Sequence, residues 1–227
     1  MKAQPQSAKI LLMKRKYRCI YCNSVATTRD HVPPKIFLDP PLNNCKTVPS
    51  CLKCNQLYGK DDEFFAYFIE FMRSVELGNG ILERNKIQKI FNHSSSIEDR
   101  LFASIGTTDG SPELAYISFE RTRIDAFLRR LAVAHVFITN NQRLPLNIGW
   151  STTCFFARPL FNGFYKILGA ATGEERIFHD DISWIADSHK NYCYCVNFVG
   201  PKVYFKIRDV FFALASWVAP AKTKTDF

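Results

Sequence analysis

The chain has 227 residues, 47% of them apolar and 14% aromatic, enough to bury a substantial core in one large domain or in a small and a medium one. No run of about 18 apolar residues is present, which argues against a membrane span, and the basic, polar opening lacks the apolar stretch of a secretory signal. The net charge of +9 is unevenly placed: residues 1–60 hold 11 Lys and Arg against two acids, whereas residues 61–227 hold 19 of each. The basic segment therefore attracts polyanions, of which nucleic acid is the commonest.

Residues 1–16 read as a flexible basic arm. The next segment holds two cysteine pairs, Cys19-Ile-Tyr-Cys22 and Cys51-Leu-Lys-Cys54. Each pair places two thiolates on one tight turn, and two such turns complete the tetrahedron of a structural zinc. Even with the formal −2 of a zinc–tetrathiolate centre, the segment keeps an excess of about +7. Between the pairs, Ser24 to Asp30 reads as a short strand or extended turn leading to His31, and Pro33-Pro34 excludes a helix directly after it. Residues 39–44 read as a loop and Lys46 to Val48 as a short strand. A helical turn is expected from Cys51 to Tyr58, closed by Gly59.

Asp61 or Asp62 then reads as the N-cap of a separate helix, whose Phe64, Phe65, Phe68, Phe71, Met72 and Val75 form a core stripe. Glu83 to Phe91 is expected to be helical and His93 to lie in an exposed loop. Leu114 to Glu120 alternates like a strand. Ile124 to Ile138 is a strongly amphipathic helix with His135 on its core face. Strands are expected at Trp150–Ala157, Phe164–Leu168, Asp181–Ile185, Tyr192–Val199 and Lys202–Ile207, the last two joined as a hairpin at Gly200-Pro201. Val210 to Val218 reads as a terminal helix. The fold class is α+β, with a metal module over 17–77 and an α+β domain over 78–227. No internal repeat, P-loop or dinucleotide fingerprint occurs. Cys45, Cys154, Cys193 and Cys195 lack metal spacing and read as reduced thiols, which suits a cytoplasmic location.

Asp30, His31 and Asn55 differ in kind from the thiols. Asp30 and Asn55 are oxygen donors suited to Mg²⁺ or Mn²⁺. His31, with an ordinary pKa of about 6.5, can accept a proton from water at neutral pH. A hard metal plus a proton acceptor is what phosphodiester hydrolysis requires. Two plainer readings stand beside this one: a structural His31 on a zinc-knuckle turn, and an Asn55 bonded to a thiolate at a helix start.

The text CIYCNSVATTRDHVPPKIF followed by TVPSCLKCNQLYGKDDEF resembles the HNH endonuclease family, in the form whose ββα-metal site is braced by a four-cysteine zinc. The resemblance covers about residues 17–64. It implies His31 as general base, Asp30 and Asn55 as ligands of a catalytic Mg²⁺ or Mn²⁺, and hydrolysis of DNA. The family often carries an Asn five residues before the third Cys; Lys46 stands there, followed by Thr47, with Asn43 and Asn44 upstream. Lys35, Lys53 and Lys60 are candidate phosphate contacts on charge and nearness alone. HNH proteins of this kind occur in bacterial defence and mobile-element systems. Residues 78–227 would then dock a protein partner or second copy, or sense a target. The rival expectation is a non-catalytic zinc module that binds nucleic acid or protein.

Overall fold

The computed structural model describes residues 17–42, 45–77, 82–93, 99, 105–107, 115–117, 121–156, 183–187 and 189–218. Strand β1 (Thr28–Val32) pairs antiparallel with β2 (Lys46–Ser50), setting Asp30 opposite Val48 and His31 opposite Thr47. A 3₁₀ turn, Lys35–Phe37, follows the two prolines, and β2 leads into α1 (Leu52–Glu76). Then come α2 (Asn85–His93), the two-stranded β3 (Ile105–Thr107) and β4 (Ala115–Ile117), and α3 (Arg121–Asn140). A five-stranded antiparallel sheet closes the chain, built from β5 (Gly149–Phe156), β6 (Ile185–Ala186), β7 (Tyr192–Asn197), β8 (Lys202–Ile207) and β9 (Phe211–Val218) in the order β5-β9-β8-β7-β6. The fold is α+β, as the sequence implied.

Two expected elements are otherwise. No break separates the second cysteine turn from the phenylalanine helix: α1 runs through Gly59, Asp61 and Asp62 for 25 residues. Gly in a helix interior costs about 1 kcal/mol, which burial of Phe64, Phe65, Phe68 and Ile69 outweighs. The two aspartates are not caps; they pair with Arg123 and Arg130 of α3. Residues 211–218 form a strand, not a terminal helix. β9 lies between β5 and β8 with almost every side chain buried, so it shows a continuous apolar run without the alternation that marks a one-sided strand.

Smaller differences concern ends. β1 starts at Thr28 and carries His31 within it, and His93 closes α2 instead of standing in a loop. The Tyr192–Asn197 and Lys202–Ile207 strands form the expected hairpin, whose turn is held by Asn197 Oδ1 accepting from the Val199 and Gly200 amides at 2.9 and 3.1 Å. The expected strand at 164–168 lies outside the described residues.

One hydrophobic cluster runs from Phe37 and Leu38 through Phe64–Ile69 of α1 and Phe127, Leu128 and Leu131 of α3 to Tyr192, Phe205 and Phe211 of the large sheet. A separate small cluster, Ile20, Val32, Val48 and Ala134, sits under the β1–β2 hairpin. Among the described residues, no helix is long and apolar enough to cross a membrane.

Candidate metal centre and its neighbourhood

The first cysteine turn is closed by hydrogen bonds from the Cys19 amide to Ser24 O at 2.7 Å and from the Asn23 amide to Cys19 O at 2.9 Å. Asn23 takes a left-handed φ of 62°, a conformation Asn tolerates better than most residues. The Ile20 amide donates to Pro49 O at 3.1 Å, which fastens this turn to the end of β2. The second pair straddles the start of α1, where the Cys54 amide donates to Cys51 Sγ at 3.4 Å. The two turns bring all four Sγ atoms within 4.8 Å of one another. Cys22 Sγ and Cys51 Sγ stand 3.6 Å apart. A tetrahedron with metal–sulfur bonds of about 2.3 Å has edges of about 3.8 Å, so the cluster can hold a structural metal such as zinc. Hydrogen bonding from Ser24 pulls the Cys22 thiol down to about 6, whereas burial, reinforced by the other thiols, pushes Cys54 up. A bound metal would remove this conflict by stabilising all four as thiolates.

The β1 strand separates its two candidate residues by face. Asp30 points inward with 6% exposure, and His31 is half-buried on the outer side. Tyr21 donates its hydroxyl to the Asp30 carboxylate at 2.6 Å, and Arg130 of α3 reaches the same oxygen at 3.3 Å. Arg130 also pairs with Asp62 and lies over the Tyr58 ring, 4.9 Å from its centre; Tyr21 meets that ring edge-on. Burial pushes the Asp62 carboxyl up to about 7, against the pull of Arg130.

His31 is held below its ordinary value by burial and by the nearby Lys35 ammonium, with Asp30 acting the other way. Across the hairpin, Arg29 clasps Thr47 through its side-chain hydroxyl at 2.6 Å and its carbonyl at 3.1 Å. Thr47 is the register partner of His31, so the clasp stiffens the hairpin where His31 sits. Asn55, in the first turn of α1, donates to Thr28 Oγ1 at 3.3 Å and not to a thiolate. The bond uses the amide nitrogen and leaves the oxygen, the atom a metal would take, uncommitted by it.

Lys53 and Lys60 share an open groove of about 970 Å³ along α1 with Leu52, Gln56, Leu57 and Glu63. Lys35 stands apart from them, beside His31. The fold thus gathers the four cysteines, joins His31 with Lys35, and joins Lys53 with Lys60. It engages Asp30 and Asn55 with different partners. Asn43 and Asn44 lie outside the described residues.

Sequence reading missed Tyr21, Asp62 and Arg130. A signal existed: Arg123 and Arg130 are seven residues apart, hence on one face of an apolar helix, and Asp61-Asp62 lay unassigned to any cation. No protein-family model, curated protein or solved structure matches the chain.

Proposed function

We propose that the chain is a phosphodiester hydrolase of the HNH type acting on DNA. The supporting observation is the ββα order itself: a hairpin carrying His31 is stapled, through four clustered thiols, to the helix whose first turn carries Asn55. Zinc in that cluster is structural. His31 is the general base, because its lowered pKa keeps the imidazole neutral at pH 7 and able to take a proton from water. Lys35 beside it offers positive charge to a phosphate oxygen. Lys53 and Lys60 in their groove, and the surplus charge in the sequence of residues 1–60, draw a polyanion to this segment.

A divalent ion, when bound, would stabilise charge developing on the phosphate oxygens. Asn55 fits as one oxygen donor. Asp30 does not fit in this arrangement, since its carboxylate is buried against Tyr21 and Arg130; here it braces β1 from within. One protein donor falls short of a dedicated Mg²⁺ or Mn²⁺ site. The inward Asp30 is also the observation that favours the second reading, a zinc-stapled module that binds nucleic acid without cutting it.

Plasmid nicking by the purified, zinc-loaded protein separates the two. The nuclease reading expects strand cleavage with Mg²⁺ or Mn²⁺ that falls at least about 100-fold in His31→Ala, the usual scale for losing a general base, while plasmid binding in a gel shift persists. Gel-shift binding with no cleavage in any metal would sink the nuclease and leave the binding module.

A further inference from the structure

Where Asp39 and Pro40 meet the start of α2 and Arg208 lies a second concave site that the nuclease reading does not use. It is a cavity of about 580 Å³, in the range of small-molecule sites, bounded by Arg73, Arg84, Lys86, Arg208, Asp39 and Asn191 among others. Four cations meet there. Arg73 is matched at the rim by Glu83 at 2.7 Å, and both are partly exposed. Deeper in, Arg84 and Arg208 have side chains only 8% and 5% exposed, and both pair with one carboxylate, Asp39, at 2.7 and 2.8 Å. Arg208 also meets the buried Glu70 at 3.2 Å. Lys86 makes no ion pair among the described residues; its ammonium is bonded to the carbonyls of Lys35 and Leu38.

Arg84, Arg208 and the half-buried Lys86 thus have two carboxylates, Asp39 and Glu70, among them. The imbalance has a visible cost: burial and then repulsion from Arg84 press Lys86 down to about 8, and burial and then repulsion from Arg208 lower Arg84. Asn85 and Lys86 are also the first residues of α2, so the positive end of that helix borders the same cavity. Arg84 is spent on the carbonyls of Ile36 and Leu38 as well as on Asp39, which fixes the wall rigidly before any ligand arrives.

We infer that this cavity binds the phosphate group of a small phosphorylated molecule, with Lys86, Arg73 and the α2 amino end as its contacts and Arg84 and Arg208 as the preorganised wall. The inference goes beyond the nuclease reading and does not rest on it. The oxyanion supplies the missing negative charge among Arg84, Arg208 and Lys86; Asn191 donates to Asp39 at 2.8 Å and so belongs to the wall, and the exposed Asn85 stands at the margin beside the remainder of the molecule.

The test is calorimetric titration of the full-length, zinc-loaded protein with pyrophosphate, followed by competition with AMP. Saturable binding at one site is expected, weakened about tenfold or more by Lys86→Met and by Arg73→Gln, as loss of a charge-assisted contact predicts. Arg73 is at the exposed rim, so its variant keeps the fold, checked by an unchanged melting curve and zinc content. A Lys53→Gln, Lys60→Gln double variant should bind pyrophosphate as the wild type does. Absence of saturable binding, equal binding by wild type and both cavity variants, or loss that follows Lys53 and Lys60 overturns the assignment. So does displacement by a 5′-phosphorylated oligonucleotide with none by AMP.

Discussion

Arg130 shows how one side chain ties the four-cysteine module to the helical core. It is 3% exposed, and it answers Asp30 from the hairpin and Asp62 from α1 at once. Two buried carboxylates around one guanidinium leave a surplus negative charge, and burial, with Asp30 close by, raises Asp62 against the pull of Arg130. A carboxyl raised from its ordinary 3.8 to about 7 on folding binds a proton more tightly in the folded state. Its contribution to stability is therefore full below about pH 4 and is lost as pH rises toward 7. Asp62→Asn removes this contribution. The expected result is that urea midpoints measured from pH 4 to pH 8 fall with rising pH less steeply in the variant than in the wild type. His31 and His135, whose lowered values push stability the opposite way in part of this range, are common to both proteins and cancel in the difference. A variant curve parallel to the wild type would show that Asp62 is ionised throughout. Asp39 does not enter this window, because Arg208 and Arg84 hold it below the usual carboxylate value and its effect falls at lower pH.

At the scale of the element, α1 is where sequence and structure part most clearly. Gly59 suggests an end, and Asp61-Asp62 suggests a new beginning. The helix runs through both because Phe64, Phe65, Phe68 and Ile69 bury its later turns in the core, while Cys54, Asn55 and Tyr58 tie the turns before the glycine to the cysteine cluster, β1 and Arg130. A Cβ built at Gly59 meets nothing within 4 Å. Gly59→Ala is thus expected to raise stability by about 0.5–1 kcal/mol through lower unfolded-state entropy and better helix propensity, read as a higher urea midpoint with unchanged slope. A loss of stability would mean that the helix needs the glycine. The same lesson holds for β9. Local pattern reports the period of burial, and a strand covered on both faces has no period to report. Patterns that face one medium on each side were legible: α3, the β7–β8 hairpin and the start of β5 fall within one to three residues of their expected places. The cysteine cluster was legible because metal spacing is a covalent-scale constraint. The Tyr21–Asp30–Arg130–Asp62 network was not, because its members come from four elements and only the tertiary fold brings opposite charges 100 residues apart together.

For the molecule as a whole, the two hydrophobic clusters divide the work of folding. The large one joins α1, α3 and the five-stranded sheet and contains most of the buried aromatic side chains. The small one, under the hairpin that holds His31, has four buried residues, Ile20, Val32, Val48 and Ala134. Ile20, Val32 and Val48 at about 1.5–3 kcal/mol each, with the smaller Ala134, cannot offset the ordering of some thirty residues from Tyr17 to Ser50 at roughly 1–2 kcal/mol apiece. The hairpin must draw stability from elsewhere: from Phe37 and Leu38 in the large cluster, from the Asp30–Arg130 contact, from Arg84 and Lys86 gripping the carbonyls of residues 35–38, and from a metal, which Cys19, Cys22, Cys51 and Cys54 are placed to hold. Removing that metal should release the hairpin before it disturbs the sheet. Hydrogen exchange measured on the zinc-loaded protein, and again after chelation or in Cys22→Ser, is expected to show large loss of protection across residues 18–32 and 46–50. Amides of β7, β8 and β9 should exchange as slowly as before. Uniform loss across both regions would mean that the clusters fold as one unit and the metal holds the whole chain. Unchanged protection in the hairpin would mean that the four thiols are dispensable to it, and that the buried ion pairs alone keep His31 in place.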